Sequence, residues 1–252
     1  MIEVRHINKS FEGEKVLEDV SVSFDQRKTN LIIGRSGSGK TVLLKCIVGL
    51  LEVDSGDILY SGDCFTTMNR KEKQNIRQRF GMLFQGAALF DSLTVEENIR
   101  FKLDLFTRMT AREKKDRVNF CLERVNLEGK NRLLPSELSG GMKKRVAIAR
   151  AIVLNPRYLF CDEPNSGLDP QTAILIDKLI SDITLEFNMT TVVNTHDLNS
   201  VMEIGEKVVY IHEGKIWWQG NREEILDTEN RELNEFVFAT RLVRQLRKLD
   251  DI

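Results

Sequence analysis

Eight consecutive residues, Gly34-Arg35-Ser36-Gly37-Ser38-Gly39-Lys40-Thr41, have the composition of a loop that holds a triphosphate. Glycines at 34, 37 and 39 let backbone N–H groups turn inward onto anionic oxygens. Lys40 adds a full positive charge toward the β- and γ-phosphates, and Thr41 offers a hydroxyl to Mg²⁺. The apolar run Leu31-Ile32-Ile33 precedes the loop, and helical periodicity follows over residues 41–51. A helix N-terminus therefore also faces the anion. The ligands read from this context are ATP and Mg²⁺. The bland alternative, a connecting loop that happens to carry a lysine, leaves the strand–loop–helix order unexplained.

A second segment, Tyr158-Leu159-Phe160-Cys161-Asp162-Glu163, reads as an apolar strand ending in two acids. Asp162 falls near the Mg²⁺ shell, and Glu163 where it can accept a proton from an attacking water. General-base help of that kind supplies roughly 10²–10⁴ in rate. Alone, such a strand end is as easily structural. Downstream of a phosphate loop it reads as chemistry.

The third segment is Leu138-Ser139-Gly140-Gly141-Met142-Lys143-Lys144-Arg145. By itself, Ser-Gly-Gly before a helix is an N-cap. Beside the other two segments it resembles the LSGGQ signature of ABC ATPases, with methionine for the usual glutamine. Gln85, after Met82-Leu83-Phe84, is similar to the Q-loop glutamine of that family. Ser166-Gly167-Leu168-Asp169 resembles its D-loop, and Asn194-Thr195-His196-Asp197 its H-loop. The resemblance implies catalytic roles for Glu163, His196 and Gln85, and Mg²⁺ contacts for Thr41, Gln85 and Asp162. It also implies nucleotide contacts for the whole loop 34–41, Ser139, Gly140, Gly141 and Asp169. Phe11 falls where the family stacks an aromatic on adenine, with a core aromatic as the competing reading. A histidine at a strand end is often structural, and the resemblance is what gives His196 a γ-phosphate contact.

Elements must position these residues. Segments 2–7 and 16–24 alternate as antiparallel strands, divided by Glu12-Gly13-Glu14. Further strands read at 55–58, 81–84, 158–161, 191–194 and 208–211. Thr94-Val95-Glu96-Glu97 and Thr110-Ala111-Arg112-Glu113 are capping signatures in a helical stretch over 94–126, and 135–154 forms another helical unit. Such alternation favours a mostly parallel sheet with helices on both faces. The expected fold is α/β: a P-loop NTPase core of the ABC type with an antiparallel β subdomain and a helical insertion. The core takes residues 1–85 and 157–220, the helical subdomain with the signature 86–156, and a C-terminal helical tail 221–252. In the tail Phe236, Ala239, Val243 and Leu246 recur at helical spacing, with Arg241, Arg244, Arg247 and Lys248 on the other faces. Its own domain, a second copy or a membrane surface can each seat that stripe.

Composition narrows the partners. Of 252 residues 30% are charged, and the formal net charge of −1 gives no reason to expect nucleic acid. The basic runs 70–73 and 112–117 are mixed with acids and polar residues and read as solvated helix faces. Cys46, Cys64, Cys121 and Cys161 are scattered and read as reduced thiols. The first residues lack a secretory pattern, and no apolar run approaches the about 20 residues that span a bilayer.

The resemblance implies a head-to-tail homodimer with ATP between protomers, driving separate integral membrane permease subunits from the cytoplasmic face of the inner membrane. Residues 82–90, with Gly86-Ala87-Ala88 where most relatives carry an asparagine and an aromatic, and Pro135-Ser136-Glu137-Leu138 through Met142 resemble Mla-type ATPases of bacterial phospholipid trafficking. That resemblance implies an MCE-type lipid-binding protein in the assembly. A motor for another solute would share every catalytic motif. A non-transport ABC ATPase that regulates a membrane partner is the third class.

Overall fold

The structure is a computed structural model and describes residues 1–237. Strands β1 (Ile2–Phe11) and β2 (Glu14–Phe24) open the chain as a hairpin, and β3 (Thr29–Ile33) runs through the glycine loop into α1 (Lys40–Ile47). β4 (Ser55–Tyr60) and β5 (Asp63–Cys64) return to the hairpin and complete an antiparallel sheet ordered β2-β1-β4-β5. α2 (Arg70–Arg77) leads to β6 (Phe80–Leu83), after which α3 (Val95–Phe106), α4 (Ala111–Arg124) and α5 (Gly140–Ile152) form the helical insertion. The chain then alternates: β7 (Tyr158–Asp162), α6 (Pro170–Glu186), β8 (Thr190–Asn194), α7 (Leu198–Ile204) and β9 (Lys207–His212). β10 (Lys215–Gly220) and α8 (Arg231–Val237) end the described chain.

The second sheet is ordered β10-β9-β3-β8-β7-β6; β9, β3, β8, β7 and β6 are parallel, and β10 is antiparallel to β9. Strands β3, β7 and β8 are buried along nearly their whole length because both faces are covered. Successive side chains point to opposite faces. Leu31, Ile33, Leu159, Cys161, Val193, Val208 and Tyr210 pack with the helical insertion, α6 and α7. Ile32, Phe160, Val192, Val209 and Ile211 pack with α1 and the antiparallel sheet. One sheet thus joins two cores.

Three expected helical stretches are divided or shortened. α1 stops at Ile47 rather than continuing to Leu51, because Gly49 turns out at φ +71° and lies against Phe65. The 94–126 stretch is two helices, each opened by a capping box: Thr94 with Glu97, and Thr110 with Glu113. Each cap contributes about 1 kcal/mol. The 135–154 unit breaks at Leu138, which is extended, so that Ser139 caps α5.

In α8, Leu233 and Val237 are buried in the domain's own core, and Phe236 lies 5.5 Å from the Tyr210 ring. Ala239, Arg241, Val243, Arg244, Leu246, Arg247 and Lys248, which carry the rest of the tail reading, lie outside the described residues. Among the described residues no helix is long and apolar enough to cross a membrane. All four cysteines are free, and three are buried.

Candidate active site

β3 delivers the chain to Gly34 directly beside β9. A Cβ there would sit 2.3 Å from the Ile211 carbonyl oxygen, so no other residue fits without moving the sheet. Gly39 then caps α1 at φ +102°. Lys40, the first helical residue, is only 6% exposed; its Nζ donates to the carbonyls of Gly34 (2.8 Å) and Arg35 (2.9 Å). Burial holds its pKa below the ordinary lysine value, with the Glu163 and Asp162 carboxylates opposing that shift. The Ser38 hydroxyl is buried in the loop without a protein partner.

Parallel pairing of β7 with β8 sets Asp162 opposite Asn194. The Asn194 amide donates to Asp162 Oδ1 (2.5 Å) and to Thr41 Oγ1 (3.1 Å), and the Thr41 hydroxyl lies 3.4 Å from the same Oδ1. A hydroxyl and a carboxylate on one spot are the oxygen donors a small hard cation takes beside nucleotide phosphates. Among the described residues no three acid, histidine or cysteine side chains converge. A cation here would share its shell with the nucleotide.

Glu163 follows in the left-handed region at φ +49°, its N–H donating to the Asn194 carbonyl at 2.9 Å. That backbone costs roughly 1 kcal/mol or more for a non-glycine residue. It turns the carboxylate to His196, whose Nδ1 lies 2.8–2.9 Å from the two oxygens. Gln85 Nε2 donates to Ser166 Oγ at 3.1 Å, and its carbonyl accepts from the Lys144 ammonium of α5.

A cavity of about 660 Å³ gathers most of the residues singled out above: Arg35, Ser36, Gly37, Gly39, Lys40, Thr41, Gln85, Glu163 and His196 all line it. Gly34, Ser38 and Asp162 lie just behind this lining, and Phe11, Ser139, Gly140, Gly141 and Asp169 do not line it either. Phe11 is 42% exposed at the hairpin end, which excludes it from the core. Ser139 caps α5, accepting from the Met142 N–H at 3.3 Å, and Ser139 and Gly140 face solvent. Asp169 caps α6 through the Thr172 N–H (3.0 Å) and hydroxyl (2.6 Å). A Cβ on Gly141 would strike the same Thr172 at 2.6 Å, so the signature and the start of α6 abut.

Val16 and Phe236 also line the cavity, and Glu235 lies 3.7 Å from Arg35. Sequence reading placed Val16 only in a strand and Phe236 only in a tail stripe. Their meeting depends on the fold, and no local spacing announces it.

The ABC transporter family profile matches residues 17–166. The chain is 35% identical over 241 residues to the probable ribonucleotide transport ATP-binding protein mkl of Mycobacterium leprae, covering 96% of this chain and 70% of that protein. It is 38% identical over 237 residues to the methionine import ATP-binding protein MetN of Clostridioides difficile, covering 94% and 74%. The dimeric bacterial ABC transporter cassette MJ0796 matches with a TM-score of 0.80 at 31% identity, over 88% of this chain and 99% of that one. For a post-hydrolysis dimer of that cassette, bound to ADP and Pi, the TM-score is 0.78 at 30% identity over the same shares. CbiO1 of Clostridium perfringens, part of the cbiONQ transporter complex, gives 0.85 at 29%, over 100% and 98%.

Proposed function

The chain belongs to the ABC transporter ATP-binding family and is an ATPase, and from that premise we propose that two copies share their ATP sites and drive a separate membrane permease. One observation carries this reading. Lys40, Thr41, Gln85, Glu163 and His196 line one cavity, while Ser139 and Gly140 stand exposed at a helix start away from it. A helix N-terminus opening on glycines is suited to a phosphate, and a second copy supplies one. The two related dimeric cassettes support that arrangement.

Within each half-site the loop N–H groups and Lys40 hold the β- and γ-phosphates, and Phe11 stacks on adenine. Thr41 and Asp162 would hold Mg²⁺, with Gln85 lining the same cavity as Thr41, and the ion would supply positive charge to the phosphate oxygens. Glu163 accepts the proton of the attacking water. His196 keeps the carboxylate oriented and meets the γ-phosphate. Ser139, Gly140, Gly141 and Asp169 complete the site from the partner.

The permease docks on the helical insertion after Gln85, where Phe90, Phe101 and Phe106 are exposed, as is Phe84 before Gln85. This seats the protein peripherally on the cytoplasmic face of the inner membrane. We take the solute to be phospholipid, handed on by an MCE-type protein, on the likeness of residues 82–90 and 135–142 to Mla-type ATPases. The likeness to MetN favours a second reading, import of a small solute. ATP turnover of the chain with its permease in nanodiscs separates them: stimulation by phospholipid supports the first, stimulation by a small solute the second.

Glu163→Gln tests the chemistry. The amide keeps size and polarity but cannot act as base at neutral pH, so turnover falls about 100-fold or more while ATP binding persists. Size-exclusion chromatography then shows an ATP-dependent dimer. Rapid turnover in this variant would move the base elsewhere.

A further inference from the structure

The hairpin end that carries Phe11 is irregular. Strand β1 shifts register against β2 between Ile7 and Lys9 and again between Lys9 and Ser10, and Glu12 and Gly13 both turn at positive φ. Bulges re-aim side chains, but a bulged strand end needs something outside the ladder to fix it. Here Asp54 bonds to three successive residues of that strand end, beside the Asn8–Ser55 pairing. Its Oδ2 accepts the Ser10 N–H at 2.6 Å, its Oδ1 accepts the Lys9 ammonium at 2.7 Å, and its own N–H donates to the Asn8 carbonyl at 2.9 Å. The Lys9 ammonium, thus held, sits over the Phe11 ring 5.3 Å from its centroid. A cation over one face of an aromatic ring is attracted to it and restricts its rotamer.

Asp54 also ends the connection that leaves α1. The N–H groups of Leu50 and Leu51 donate back to the Lys45 carbonyl at 2.8 and 3.1 Å, so that connection is tied to the helix. α1 begins at Lys40. The residue that grips the base end of the site is therefore braced on the helix that holds its phosphate end. Val16, on the strand paired with β1, lines the phosphate cavity and places this hairpin at its rim.

We propose that Asp54 is a positioning residue for the nucleotide base: with Lys9 it fixes the Phe11 ring so that one face is covered by the ammonium and the other is presented to a purine. The proposal rests on the reading that Phe11 stacks on adenine. Asp54 itself touches no nucleotide. Its carboxyl is held below the usual carboxylate range, first by the bond from Lys9 and then by the Ser10 N–H, as a fixed anionic strut requires.

The test compares equilibrium binding of ATP with binding of inorganic triphosphate, both with magnesium, in the full chain. Triphosphate uses the loop but has no base to stack. Phe11→Ala should weaken ATP about tenfold and leave triphosphate unchanged, as loss of one base–aromatic stack implies. Asp54→Ala should weaken ATP by about three- to tenfold with triphosphate again unchanged, and the double variant should bind ATP no worse than Phe11→Ala alone. Lys9→Met, which keeps the stem and removes the ammonium, should show part of the same selective loss.

A misfolded Asp54 variant would lose both ligands, and Lys9→Met then carries the test. Selective loss of ATP in Phe11→Ala with wild-type ATP affinity in Asp54→Ala and Lys9→Met overturns the proposal while leaving the stack in place. Wild-type ATP affinity in Phe11→Ala removes the stack and the proposal with it. Additive losses in the double variant also overturn it, since Asp54 would then act without Phe11.

Discussion

At the scale of single residues, Asp177 is the group whose chemistry is least expected from its surroundings. It lies in α6 at 2% exposure, with one carboxyl oxygen lacking any partner. Burial pushes its pKa up to about 6, against hydrogen bonds from Ser200 and Asn165, while Asp197 and Glu203 add repulsion. The folded state therefore keeps this proton to a higher pH than the unfolded chain, whose aspartates titrate near about 4. Stability from this group is fully present below about pH 4 and is lost as pH rises through about 6. At pH 7.5 the ionised carboxyl is a standing cost. Asp177→Asn keeps the shape and should stabilise the fold by about 1–2 kcal/mol at pH 7.5, with the gain gone by about pH 4. Thermal melts at the two pH values check this. A lower melting temperature at pH 7.5 would mean that the ionised form is well paired after all.

At the scale of elements, α5 ties the signature to the Gln85 loop. Ser139 opens the helix, and two of its buried cations turn back to that loop. Arg150 donates to the Ala87 (2.6 Å) and Ala88 (2.7 Å) carbonyls, and Lys144 to that of Gln85. Ala87 and Ala88 are both left-handed, at φ +61° and +48°, which costs about 1–2 kcal/mol each without a glycine. Hydrogen bonds from a charged donor offset that strain, at about 1.5–3 kcal/mol each. Arg150→Met should therefore destabilise the protein by about 2–4 kcal/mol and lower permease-stimulated turnover more than basal turnover. A melt and paired ATPase assays check it. An unchanged melt would show that the loop holds its own shape.

This contact also shows where sequence stops being legible. The Thr94 and Thr110 capping boxes, the apolar strands and the phosphate loop are written within a few neighbouring residues, so they can be read directly. Arg150 and Ala87 are brought together by the fold, and neither has a local pattern that names the other. The same holds for Phe236 against the phosphate cavity and for Asp54 beneath Phe11. The break at Leu138 was hidden for a different reason: Pro135-Ser136-Glu137 itself reads as a helix start, and the real start lies at Ser139.

At the scale of the whole molecule, the glycine loop lines a cavity that the Ser139 helix start of the same chain does not line. In the head-to-tail pair proposed above, each site would take Lys40 from one copy and Ser139 from the other, and the operation closes on itself. A mixing experiment isolates that arrangement. Lys40→Ala chains lack the phosphate cation, and Ser139→Arg chains place a bulky charge where the partner's γ-phosphate would enter. Each variant alone should be inactive, since both of its sites contain the lesion. In a mixed dimer one site collects both lesions and the other collects neither. Random pairing of equal amounts makes half the dimers mixed, so about a quarter of the wild-type sites return. Turnover recovered on mixing is the expected result. Native mass spectrometry that finds mixed dimers without any recovered turnover would refute a shared site, because a site contained within one chain gains nothing from a partner that carries a different lesion.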